Sequence, residues 1–116
     1  MSRRILIVPD KFKGSLDAGN VARCIASGWE SVWPNDIVEI LPMSDGGDGF
    51  GVIMADSLGF SEKSFLGCDA AKNNCEVPYW VDFTHRKAVV ETSLSNGLSL
   101  LPSGKFHPFD LDSWGV

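Results

Sequence analysis

The chain has little of what several classes of function require. Its 116 residues include three cysteines, Cys24, Cys68 and Cys75, with no C-x-x-C pair among them. An odd, scattered set indicates neither a disulfide framework nor a zinc knuckle, and buried, reduced thiols are expected. Basic residues are outnumbered, ten against fifteen acidic, giving a net charge of -5, which argues against a basic face for nucleic acid. The two histidines, His85 and His107, lie in loop-like stretches with no second ligand residue nearby. No window approaches the roughly 20 apolar residues that a membrane-spanning helix needs. Ser2 to Val8, "SRRILIV", carries an arginine pair like an export signal, but its apolar run lasts four residues before Pro9, Asp10 and Lys11 interrupt it. The expectation is a cytoplasmic chain with no membrane and no nucleic-acid partner.

What is present suits a small α/β domain. Hydrophobic residues make up 44% and charged residues 22%, enough apolar content for one core. Ile5 to Val8 reads as a strand of a parallel sheet covered on both faces. Apolar residues at Val21, Ile25, Trp29 and Val32 then draw one stripe down a helix beginning near Leu16, with Ser15 as its cap and Asp17 complementing the dipole. Trp33-Pro34 ends it. Ile37 to Leu41 is a second strand, and a short helix follows over about Phe50 to Leu58. This βαβα unit, 1–60, has the parallel start of a flavodoxin- or Rossmann-like fold, with both strand exits on one sheet edge.

Residues 61–116 read differently. Candidate strands at Glu62 to Leu66, Glu76 to Asp82 and Lys87 to Glu91 are separated by short turns at Gly67-Cys68-Asp69 and Thr84-His85-Arg86, which implies antiparallel pairing. "TSLSNGLSLLP" suggests a helical turn ended by Asn96-Gly97, before an irregular tail. The four tryptophans, Trp29, Trp33, Trp80 and Trp114, are expected to pack in the core or between lobes, not to form a stacking platform. The whole is read as one truncated α/β domain.

Two polar loops follow the two parallel strands, where ligands settle in open α/β sheets. "PDKFKGS", Pro9 to Ser15, sets Lys11 and Lys13 beside Gly14 and Ser15 at an expected helix N-terminus, a favourable place for an anion. It is no Walker A loop, since Lys13-Gly14-Ser15 inverts the required order of glycine and lysine. "SDGGDG", Ser44 to Gly49, offers Asp45 and Asp48 around Gly46 and Gly47, so a backbone can approach a ligand while carboxylates face a cation or a hydroxyl. An EF-hand is excluded because the distant glutamate is missing. Either loop alone is more often a plain turn with solvated lysines than a site, and Glu91 a surface or capping carboxylate. Their opposite charge and shared edge favour a site.

The same residues resemble a known family. "ILIVPDKFKGSLDAGNVARCIASGW" looks like the opening of the bacterial glycerate kinases, with P-D-S-F-K-G-S after the first strand. "LPMSDGGDG" resembles their A-D-G-G-E-G loop, "AVVETSLSNGLSLLP" their E-M-A-x-A-S-G-L-x-L-[VL]-P segment, and "HPFDLDSWGV" their N-P-L-x-T-T-T-Y-G-V. The resemblance implies transfer of the ATP γ-phosphate to a hydroxyl of D-glycerate, with magnesium, in a cleft between two α/β lobes of which this chain is the N-terminal portion. By carry-over, Lys13 and Asp45 are the catalytic candidates. Asp10, Lys11, Gly14, Ser15, Gly46, Gly47 and Glu91 are expected to bind substrate or phosphate, and Asp45 or Asp48 to hold magnesium. Asp45 would orient or deprotonate the hydroxyl, or hold the metal through water. Lys11 stands at a family serine, Asp48 at a glutamate, Trp114 at a tyrosine, and Leu111 to Ser113 at a threonine run. A cut lobe would expose apolar surface and self-associate, and a non-catalytic module that binds an anion or a partner is the alternative.

Overall fold

Strands β1 (Arg4–Ile7) and β2 (Ile37–Ile40) pair in parallel, in the register Arg4 with Ile37 through Ile7 with Ile40, and helix α1 (Ala18–Val32) connects them. The structure is a computed structural model and describes residues 2–116. Its chain divides into two compact units, Met1–Ile53 and Met54–Val116, with the division inside helix α2 (Phe50–Leu58).

In the first unit α1 packs on β1 and β2. Ile7, Ala18, Val21 and Ala22 form the buried contact, as the period of two in a strand and of 3.6 in a helix requires. The expected cover on both faces is not found: Leu6, pointing the other way from Ile7, is 58% exposed. One helix shields one face of a two-stranded sheet, and a second layer is needed for the other. The start of α1 also differs from expectation. Ser15 does not cap it; Asp17 does, its carboxylate accepting the Asn20 N–H at 2.7 Å. Ser15 instead gives its N–H to the Phe12 carbonyl, and Phe12 and Leu16 form an isolated antiparallel bridge around a tight turn. Gly14 turns that corner with φ of 73°, a conformation costly for residues with a Cβ.

At the other end of the same sheet Asp36 gathers Arg3 and Trp29. It accepts the Arg3 backbone N–H and Nε and the Trp29 Nε1–H at 2.8 to 3.0 Å. The Arg3 guanidinium lies 4.3 Å from the Trp33 ring centroid, a stacked cation–π contact. Trp33 is thus a lid on an ion pair, half exposed and outside the core.

The second unit is a three-stranded antiparallel sheet of β3 (Ser61–Cys68), β4 (Asn74–Asp82) and β5 (Lys87–Val89), in that order. β3 runs on through Gly67 and Cys68, so the first turn is Asp69 to Asn73, later than expected. Asp69 builds it by accepting the N–H groups of Ala71 and Asn73 and the Asn73 amide. β5 stops at Val89, short of the expected Glu91. Continuing the register that pairs Trp80 with Val89 would set Glu91 opposite Pro78, which has no N–H to donate.

Val77 and Trp80 are the buried centre of this sheet, and helix α3 (Ser93–Asn96) packs on β4. Trp114 lies outside this core and is 83% exposed. The tail carrying it is fixed by its neighbours: Asp112 donates its N–H to Ala70 at 3.1 Å and its carboxylate meets Lys72. Among the cysteines Cys24 is exposed, against the expected burial, while Cys68 and Cys75 are half-buried.

Candidate functional site

The parallel pairing of β1 and β2 sends both polar loops off one sheet edge, and the ladder continues into them. Leu41 donates to Ile7 and Met43 to Pro9, at 2.8 and 2.9 Å. Beyond the last of these bonds Asp10 takes over with its side chain. Its Oδ1 accepts the Lys11 N–H at 2.6 Å and its Oδ2 the Asp45 N–H at 3.3 Å. One carboxylate therefore ties the first loop to the second, and no β-ladder is needed at that point.

Within the second loop the side chains satisfy the backbone locally. Ser44 Oγ accepts the Gly46 N–H at 3.2 Å, and Asp45 Oδ1 accepts the Gly47 N–H at 3.0 Å. These are Asx- and Ser-type turns of the kind that let short polar residues replace secondary structure. Lys11 Nζ lies 3.7 Å from Asp45 Oδ1. The Gly47 N–H, and next the Lys11 charge, hold the Asp45 carboxyl below the usual aspartate range. Asp45 is consequently an ionised acceptor across the neutral range, while its side chain remains 75% exposed.

A shallow depression of about 300 Å³ opens beside the first loop, lined in part by Lys11, Gly14, Ser15, Asp17 and Asp48. Sequence reasoning placed four of these in the site and took Asp17 only as a helix residue. Asp17-x-x-Asn20 was the signal, because a carboxylate three residues before an acceptor-seeking amide is the usual N-cap pattern. The consequence is chemical: the N-terminus of α1 already has its own anion. An incoming anion would therefore be held by lysine, not by the dipole of α1.

The structure brings together Asp10, Lys11, Gly14, Ser15, Asp45, Gly47 and Asp48 on the two loops of the first unit, with Lys13 and Gly46 on the same loops. Lys13 is exposed. Glu91 belongs to the second unit, where it is 4% exposed and accepts the Ser93 hydroxyl at 2.6 Å. Close to it in sequence, Asn96 has both side-chain polar atoms buried without a hydrogen-bond partner in the protein. No cluster of three or more His, Cys, Asp or Glu suited to a metal occurs among the described residues, and no helix there is long and apolar enough to cross a membrane.

A parallel strand pair with two polar loops at its carboxyl edge defines an α/β protein, and it is outside that edge that ligands settle in open α/β sheets. Comparison makes this specific. Residues 5–116 match the glycerate kinase family, and the chain belongs to that family. It is 32% identical over 112 residues to a glycerate kinase of Halalkalibacterium halodurans, covering 97% of this chain and 30% of that protein. It is 27% identical to the glycerate 2-kinase of Escherichia coli K12, with the same shares covered. The solved structure assigned as glycerate kinase 2 from Salmonella typhimurium LT2 superposes with a TM-score of 0.79 at 28% identity, over 99% of this chain and 31% of that one. The chain thus spans about 30% of the length of these relatives.

Proposed function

We propose that this chain forms one wall of a glycerate kinase site, in which the γ-phosphate of ATP passes to a hydroxyl of D-glycerate with magnesium as counter-ion. The observation that supports this reading best is the junction of the two loops. Asp10 bonds both backbones, and Lys13 and Asp45 are left on the same sheet edge with opposite charge. Phosphoryl transfer asks mainly for positioning and charge, because the transferring group needs little covalent help from the protein.

The residues divide the work accordingly. Lys13, exposed and on a flexible stem, neutralises the carboxylate of the acceptor or the transferring phosphoryl group. Asp45 orients the acceptor hydroxyl or holds the metal through water. A carboxyl pushed below its usual range is a weak base near neutrality, so proton abstraction is the role it suits least. Magnesium characteristically keeps several waters and takes one or two carboxylates together with substrate phosphates. Asp45 or Asp48 would supply such a carboxylate, and the metal would there offset charge on the phosphates.

The test is a coupled assay of ADP release by the purified chain with ATP, magnesium and D-glycerate, beside Lys13→Ala and Asp45→Asn. Turnover abolished by both substitutions supports the reading, and turnover indifferent to either removes these loops from it. A second reading, a binding module without turnover, is favoured by the shallowness of the depression, since a transferring group must be shielded from water. Its mark would be self-association through exposed apolar residues such as Leu6, Leu66 and Phe83, seen by sedimentation, with no ADP formed.

A further inference from the structure

Two lysines stand in the first loop, and the structure treats them differently. Lys13 is exposed. The Lys11 side chain is only 23% exposed, unusual for a residue that normally keeps its whole head in water. Its main chain is held by Asp10 and its ammonium is turned onto the second loop, 3.7 Å from Asp45 Oδ1.

The glycines of that loop show what the ammonium does there. Gly46 and Gly49 have φ of 95° and 90°, so their backbone conformations alone demand glycine. Gly47 has no such φ. Its demand is for volume: a Cβ built on it would lie 2.6 Å from Lys11 Nζ and 3.1 Å from Asp45 Oδ1. The lysine head therefore sits where a Cβ at position 47 would go, and as the end of a flexible stem it would be the group to give way.

We propose that Lys11 is a positioning residue, a clamp that seats its ammonium between the Asp45 carboxylate and the bare Cα of Gly47 and so fixes the second loop against the first. Lys13 is then the cation available to an incoming anion. The role in a site rests on the kinase reading above, but the clamp can be tested without turnover.

The experiment is a double-substitution cycle on the full chain, Lys11→Ala, Gly47→Ala and both together, followed by backbone amide NMR of residues 44–49 and by titration with inorganic phosphate. Lys11→Ala should loosen Asp45 to Gly47, taking order parameters from about 0.85 toward 0.6. Gly47→Ala should push the ammonium off Asp45 and shift the loop resonances when Lys11 is present, and shift them less when it is absent. A Lys11→Met variant, which ends one atom short of the ammonium, at a position 3.7 Å from a Cβ at 47, should relieve the clash with Gly47→Ala and loosen Asp45 as Lys11→Ala does. Phosphate affinity should fall about tenfold with Lys13→Ala, one charge-assisted bond, and less than about threefold with Lys11→Ala.

The clamp is refuted if the loop is unmoved by Lys11→Ala, or if Gly47→Ala perturbs it equally in both backgrounds. Equal loss of phosphate affinity from the two lysines would make Lys11 a ligand group instead. Absence of phosphate binding in every variant would count against the anion site, and the amide cycle would still decide the clamp.

Discussion

Replacing Asp10 by alanine tests the junction on which the site depends. Two bonds are lost, and their geometry predicts unequal costs. The bond to the Lys11 N–H is 2.6 Å long and half-buried, whereas that to the Asp45 N–H is 3.3 Å and exposed. A short bond to an ionised acceptor contributes about 1.5–3 kcal/mol, and a long exposed one a few tenths. Native-state hydrogen exchange reads each separately. About 2 kcal/mol at Lys11 corresponds to exchange roughly 30-fold faster, against two- to threefold at Asp45. Asp10→Asn keeps one acceptor oxygen, and Lys11 should retain most of its protection. The Val21 N–H, bonded to Asp17 in the first turn of α1, is the internal control and should not change. The reasoning fails if Lys11 exchanges at the same rate in Asp10→Ala, or if Val21 accelerates equally, which would mean general loosening and not a severed junction.

Three further outcomes follow from the same kind of accounting. Asp36, Asp69 and Asp112 are held below the usual aspartate range, first by hydrogen bonds from the Arg3 backbone, the Asn73 side chain and the Trp114 backbone respectively. The unfolded chain then binds protons more readily than the folded one, so the stability they contribute is complete above about pH 4 and drains as pH falls below it. Thermal melts across that window should show the fall, and Asp69→Asn should flatten part of it; a melt independent of pH would contradict the assignment. Asn96→Ala removes two buried polar atoms with no partner in the protein, and urea denaturation should show it neutral or stabilised, by up to about 1–3 kcal/mol; a clear loss would mean the amide is bonded after all. A Cβ at Gly115 would overlap the Cys68 carbonyl oxygen, so Gly115→Ala should cost about 1–3 kcal/mol and free the Asp112 N–H from Ala70, seen as faster exchange at Asp112.

Much of this protein was legible in its residues. The apolar runs at Ile5 and Ile37, and the stripe through Val21, Ile25 and Trp29, point to a parallel strand pair joined by one helix, although of these the structure buries Val21 and leaves Ile25 and Ile37 exposed. The Pro, Gly and Asp punctuation placed both polar loops at the exits of those strands, and four ordered motifs carried the family. Side-chain geometry decided the rest. Asp17, not Ser15, caps α1 because the Phe12–Leu16 turn holds Ser15 short of the helix, whose first residue is Ala18, a placement that no local propensity encodes. The two lysines of "PDKFKGS" are identical as letters, and only the approach of Gly47 and Asp45, more than thirty residues away in sequence, turns one of them inward and leaves the other to solvent. Local pattern fixes elements because backbone hydrogen bonds are made between near neighbours or within a strand pair; the roles of charged side chains depend on which distant groups the fold brings within a few ångströms.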